Sequence, residues 1–260
     1  MSIPNPALLQ SLRAQLQMLQ PRARHGVLAF GDPRVDACFP AGGLPLGALH
    51  EVAADGIEAE TGVIGGAFTA CLLAGLPGPL VWITPQADLY APGLPACGLD
   101  PGRLTLVQTR NDDETLAAME TVLREGAAAG VVAEAGRLGR IPARRLQLAC
   151  LKHGGTGFAL RRWPHGRKQA APEDTAAVSR WRVAPAPSAA AHREPGAPRW
   201  RVELEYARGG IEGAWIMEME VFSDATHPLR VVAELADAAP APALRQRSAS
   251  GQPDTRQRAG

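Results

Sequence analysis

The stretch Gly42–Leu73, GGLPLGALHEVAADGIEAETGVIGGAFTACLL, decides how this chain folds. A glycine turn at 42–47 leads into an apolar strand over Ala48–Ala53. A polar loop and then a helix from Glu60 to about Gly75 follow. In nucleotide-binding folds, strand, loop and helix in that order grip phosphate. Gripping needs G-x-x-x-x-G-K-[ST], with a lysine on the phosphates and a hydroxyl on the metal. Here the loop reads AADGIEAETGV, without lysine and with Asp55, Glu58 and Glu60. Like charges at ~4 Å and an effective dielectric of ~20 repel by roughly 4 kcal/mol, so such a loop disfavours a triphosphate.

Outward from there the pattern alternates strand and helix. Pro79–Thr84 and Gly130–Ala133 read as buried strands, and Arg103–Gln108 and Gly157–Arg162 as further strands. Helices are expected from Asp112 or Asp113 to Glu125 and over Pro142–Leu151, with Val63, Ala67, Ala70, Cys71 and Ala74 on the packed side of the helix after the loop. Val27–Phe30 reads as a short strand and Asp32–Asp36 opens a short helix. This grammar predicts an α/β fold with a mostly parallel sheet flanked by helices.

Five segments emerge: an amphipathic N-terminal helix in 1–24, a core over 25–163, a Pro/Arg-rich linker over 164–198 containing the strand Val178–Val183, a β extension over 199–235, and a tail of Ala, Pro, Ser, Gln and Arg over 236–260 expected to be disordered. In the first, Leu8, Leu9, Leu12, Leu16 and Leu19 share a face. That face either packs on its own domain or docks on a partner. In the extension Trp200, Val202, Leu204 and Tyr206 alternate with charges, as do Trp215, Met217 and Met219. Ala207–Gly213 joins the two runs as a hairpin.

Of the 27 cations only Lys152 and Lys168 are lysine. Between Arg161 and Arg201 nine Lys or Arg face three acids, a local +6 that leaves the rest of the chain at −5. Arg161, Arg162, Arg180 and Arg182 are candidate DNA contacts; the alternative is that they are simply solvated. Cys38, Cys71, Cys97 and Cys150 form no C-x-x-C pair and fit a reduced cytoplasm. The six scattered histidines show no metal spacing, and no G-x-S-x-G elbow is present. No cofactor or metal is expected, nor any membrane span.

GGLPLGALHEV resembles the segment leading into the phosphate loop of RecA, and LVWITPQADLY (80–90) resembles the strand and turn carrying its catalytic glutamate. The likeness continues through residues 94–126 and AGVVAEA (129–135), the Walker B place. The candidate nucleotide positions are thus Asp55, Gly56, Glu58, Gln86 and Glu134, all degenerate: Gln86 cannot act as a base. An inactive, non-enzymatic RecA-like core is expected. Together with the N-terminal helix and RWRVELEYARGGIEGAWIMEME (199–220), the chain is similar to the ImuA family. That resemblance implies an SOS-inducible, cytoplasmic accessory of translesion DNA synthesis, with an ImuB-like inactive Y-family polymerase homologue and an error-prone DnaE-type polymerase as partners. It also implies partner binding by the C-terminal part. Candidate partner-facing residues are Leu8, Leu12, Leu16, Trp200, Arg208, Gly209, Gly210 and Trp215; self-association through the N-terminal helix is a further expectation. Competing readings are a RecA-like ATPase or recombinase with degenerate motifs and a SulA-like inhibitor of cell division.

Overall fold

Nine strands join in one sheet in the order β11-β10-β9-β8-β3-β7-β6-β4-β5 among the described residues. The computed structural model describes residues 25–56, 58–162, 176–188, 196–220 and 228–235. The expectations for residues 1–24, Trp163 and the tail lie outside these, as do the side chains of Glu58 and Glu60.

The strands are β1 (Val27–Leu28), β2 (Leu44–Pro45), β3 (Leu49–Ala54), β4 (Leu80–Thr84), β5 (Leu104–Gln108), β6 (Gly130–Ala135), β7 (Thr156–Arg161), β8 (Ser179–Ala186), β9 (Arg199–Ala207), β10 (Gly213–Met219) and β11 (Leu229–Glu234). The helices are α1 (Pro33–Asp36), α2 (Glu58–Ala74), α3 (Asp112–Glu125) and α4 (Arg140–His153), with a 3-10 turn at Ala91–Cys97. Strands β8, β3, β7, β6, β4 and β5 run parallel; β9, β10 and β11 continue the sheet antiparallel. Short β1 and β2 pair separately.

Strands β3, β4, β6 and β7 bury both faces. On one face Val52, Trp82, Val132, Phe158 and Leu160 meet α2. On the other Leu49, Ile83, Val131, Ala133 and Ala159 meet α3 and α4. Residues of alternate parity thus serve different helices, which is why these strands read as continuous apolar runs rather than alternating ones. Asn111, not Asp112 or Asp113, caps α3: its side chain accepts the Glu114 amide at 2.9 Å. The two aspartates sit in the first turn instead, where the helix dipole favours them.

Two further expectations are corrected. Val63 is 83% exposed; α2 packs through Thr61, Gly65, Phe68 and the fully enclosed turn Thr69–Leu73. A Cβ at Gly65 would lie 3.0 Å from Leu160, so glycine permits the close approach of helix and sheet. Tyr206 is 41% exposed although Trp200, Val202 and Leu204 before it are buried. The register shift between Arg180 and Trp181 pairs Arg180 with Tyr206 but Trp181 with Leu204. Glu205 is therefore an extra residue, a bulge that flips every later side chain.

The C-terminal third is not an appendage. Strand β8, expected inside a linker, lies beside β3 in the middle of the sheet, and β9–β11 extend it. Trp181 anchors this junction: its ring centroid lies 5.4–5.9 Å from Phe30, Phe39 and Phe68, and 6.5 Å from Trp215. Beneath it runs a polar chain. Trp181 Nε1 donates to Ser179 Oγ (2.9 Å), whose hydroxyl reaches His50 Nδ1 (2.7 Å), while His50 Nε2 reaches the Pro45 carbonyl (2.8 Å). A carbonyl only accepts, so Nε2 carries a proton. Burial drives the His50 pKa down to about 4.

Candidate functional site

In open parallel sheets ligands sit outside the carboxyl ends of the strands. That crest is where the positions compared in the sequence with a nucleotide site fall. Strand β3 ends at Ala54, and Asp55–Gly56 leads to α2. A phosphate loop offers its backbone amides to the ligand, but the Asp55 amide donates to Val183 O of β8 at 2.7 Å. The Asp55 carboxylate accepts from Arg201 at 3.1 Å and lies 3.8 Å from Arg182. Gly56 has φ +123°, and a Cβ there would press to 2.8 Å on Thr61. The acid in the loop is therefore an ion-pair partner of β8 and β9.

The neighbouring strand ends are closed in the same way. Glu134 on β6, 3% exposed, accepts from Trp82 Nε1 (2.7 Å) and from Arg162 Nη1 (2.8 Å), and its Oε2 lies 2.9 Å from Thr84 Oγ1. Thr84 Oγ1 also accepts the Gln86 amide at 3.0 Å, which fixes the turn after β4. Arg162, just past β7, grips Asp88 with two bonds of 3.0 and 2.8 Å. Those bonds hold the Asp88 carboxyl below its usual range. The structure thus brings Gln86 and Glu134 together with Arg162, and sets Asp55 in a second network.

That second network spreads across the sheet. Arg161 donates to Glu51 (2.7 Å) and to the Gly136 carbonyl (2.9 Å); Arg180 lies 3.5 Å from the same glutamate. Arg182 pairs with Glu205, and Arg201 with Glu203. Arg199 and Arg230 both reach Glu218, at 2.7 and 2.5 Å, and Arg199 foremost holds that carboxyl below its usual range. Arg230 also meets Glu220 at 3.1 Å. In this second network six arginines face six carboxylates among the described residues, so the described arginines of the basic stretch are paired in space. Arg161, Arg162, Arg180 and Arg182 are all ion-paired rather than presented as isolated cations. Sequence reasoning missed Glu51, Asp88 and Glu205; only the alternation of Arg201, Glu203 and Glu205 along β9 hinted at a charged ladder.

The partner-facing candidates divide. Trp200 and Trp215 are buried and belong to the core. Their indoles fall on the inward parity of β9 and β10, opposite Arg199, Arg201 and Glu218. Arg208 donates to the Ala176 carbonyl at 2.8 Å. Gly209 has φ +69°, and Gly210 lies against the loop after α1: the Ile211 amide donates to Cys38 O at 3.0 Å. A Cβ on Gly210 would overlap that carbonyl oxygen. The glycine pair therefore locks the hairpin onto the core. Gly210→Ala should cost about 2 kcal/mol by this overpacking, whereas Ile211→Ala at the 64% exposed tip should change stability little. Urea unfolding checks both; equal effects would contradict the locking role. Leu8, Leu12 and Leu16 lie outside the described residues.

Among the described residues no group of three His, Cys, Asp or Glu side chains is placed to hold a metal ion, and no helix is long and apolar enough to cross a membrane. The four cysteines are free and buried.

Fold and site together define an α/β protein whose mostly parallel sheet is crested by cross-strand ion pairs, with the ion-paired Asp55 at its central strand–loop–helix turn. Over 221 residues it is 45% identical to Protein ImuA of Caulobacter vibrioides strain NA1000 / CB15N, covering 81% of this chain and 91% of that one. Protein ImuA of strain ATCC 19089 / CIP 103742 / CB 15 matches to the same extent. The chain belongs to the ImuA family. No family model matches it. The crystal structure of SulA from Pseudomonas aeruginosa aligns over 44% of this chain and 96% of its own, at 24% identity and a TM-score of 0.38, too low to define a shared fold.

Proposed function

We propose that this protein is a non-enzymatic accessory factor of DNA damage-induced mutagenesis, acting in the cytoplasm within translesion synthesis. Its frame descends from a RecA-like nucleotide-binding core and serves as a scaffold. Membership of the ImuA family supports the damage-induced role. The observation that carries the non-enzymatic reading is the turn after β3, where the Asp55 carboxylate is engaged by Arg201 and the Asp55 amide by β8, so an acid rather than a lysine stands there and its own amide is already taken. The partners in this reading are an ImuB-like inactive Y-family polymerase homologue and an error-prone DnaE-type polymerase, held by the C-terminal third of the sheet. With Trp200 and Trp215 enclosed, the surface left to them there includes Tyr206 and Ile211 near the β9–β10 turn.

A tagged chain recovered from cells after DNA damage tests this. Co-purification of a Y-family-like protein is the expected result, reduced at least tenfold by Tyr206→Ala combined with Ile211→Glu. Recovery of a division-ring protein instead would contradict it.

A further inference from the structure

Helix α4 carries apolar side chains on two sides, the outer one shared with the exposed Arg144, Arg145 and Lys152. It buries Ala143, Leu146, Ala149 and Cys150 in the core. On its outer side Ile141, Leu148 and Leu151 are 76%, 56% and 39% exposed. Ile141 and Leu148 are two turns apart, so they line up along the axis, and Leu151 continues the stripe one turn on. A helix at a protein surface needs one apolar stripe; the second calls for a cover.

The start of the described chain identifies that cover. His25 Nε2 lies 2.9 Å from the carbonyl oxygen of Leu151, itself a member of the stripe. The ring rests over Gly154, where a Cβ would come within 3.0 Å of Nδ1. The Leu46 amide donates to the Gly26 carbonyl at 3.0 Å and Val27 pairs with Pro45, so residues 25–27 are held. The preceding chain therefore starts from the C-terminal end of the stripe. Four residues, 21–24, separate that point from the amphipathic pattern and reach at most about 14 Å. The helix expected from the sequence pattern over residues 6–20 would span about 22 Å, against about 21 Å for α4. Leu9 and Leu16, like Leu12 and Leu19, repeat the seven-residue spacing of Ile141 and Leu148. Its polar side is Gln10, Arg13, Gln17 and Gln20, with one charge, so it adds little repulsion beside Arg144 and Arg145; Arg145 is already tied to Glu120 at 2.6 Å.

We propose that residues 6–20 dock lengthwise on α4 of the same chain, parallel to it, with Leu16 and Leu19 over Leu148 and Leu151 and the Leu8–Leu9 end toward Ile141. The leucine face is then an internal contact rather than a free arm.

The four native cysteines are buried, which leaves introduced ones selective. In the full chain carrying Leu16→Cys and Leu148→Cys, a short bismaleimide should give an intrachain cross-link at monomer mass, independent of protein concentration. The pair Leu16→Cys and Leu106→Cys, with Leu106 on the edge strand β5, should give none. A 16–148 link found only in dimers would assign the stripe to a second copy and overturn the proposal, as would no link. In a second readout, Leu148→Glu should speed amide exchange across residues 8–19 at least tenfold while leaving that of β3 and β7 unchanged. Unchanged exchange over 8–19 would also overturn it.

Discussion

Arg162→Ala should lower stability by about 3 kcal/mol, because it leaves the Glu134 carboxylate buried without its counter-charge. Trp82 and Thr84 would still reach the oxygens, so the loss falls at the lower end for a broken buried pair. Asp88 is the internal control. It binds the same guanidinium but is 51% exposed, so Asp88→Ala should cost less than 1 kcal/mol. Glu134→Gln in the Arg162→Ala background should recover part of the loss, since a neutral amide tolerates burial better than an unpaired charge. Urea midpoints at constant slope measure all four proteins. If Arg162→Ala costs no more than Asp88→Ala, the arginine is not spent on the fold and the DNA-contact reading of it regains weight. The difference matters because a cation that stabilises a buried acid cannot neutralise a phosphate without giving up that role.

Stability should also fall by about 3 kcal/mol as pH drops from 6.5 to 4, from one histidine. In the unfolded chain an imidazole takes up its proton below about pH 6.5. In the folded protein His50 stays neutral down to about 4, held between Ser179 and Pro45 in a dry site. Between those values the unfolded state binds more protons. The stability is therefore complete above pH 6.5 and is lost as pH falls toward 4. Ion-paired carboxylates such as Asp88 and Glu218 have depressed pKa values and act in the same direction, but below about pH 4. Chemical unfolding at pH 7, 6 and 5 separates the two groups. His50→Gln should be less stable at pH 7 yet flatter between 7 and 5. A wild-type protein equally stable at pH 7 and 5 would contradict the neutral, enclosed imidazole.

The parallel core was legible because β4, β6 and β7, buried on both faces, read as largely apolar runs alternating with helical segments. The hairpin was legible from alternation about Gly209–Gly210. Where β8 goes was not: SRWRVAPA contains Pro185 and sits between proline-rich segments, and nothing local announces that Val52 lies opposite Trp181. That pairing is set by tertiary packing of Trp181 among three phenylalanines. The Tyr206 flip depends on a single extra residue in the ladder, which binary patterning does not reveal. At the candidate site the missing lysine was plain, but the use of Asp55 and Arg162 was not. Ion pairs such as Arg162–Asp88 join residues 74 apart, and Arg201–Asp55 residues 146 apart. Charge counted along the chain therefore gave a basic stripe, whereas in space the described arginines of that stripe are paired with acids.

The central proposal is that a frame resembling nucleotide-binding cores is closed by its own ion pairs and works as a scaffold. Calorimetric titration of the full chain with magnesium ATP tests this most directly, with phosphate release followed in parallel. The account predicts no saturable heat up to about 1 mM nucleotide, corresponding to binding weaker than about 4 kcal/mol, and no turnover. A micromolar dissociation constant, with or without hydrolysis, would contradict it.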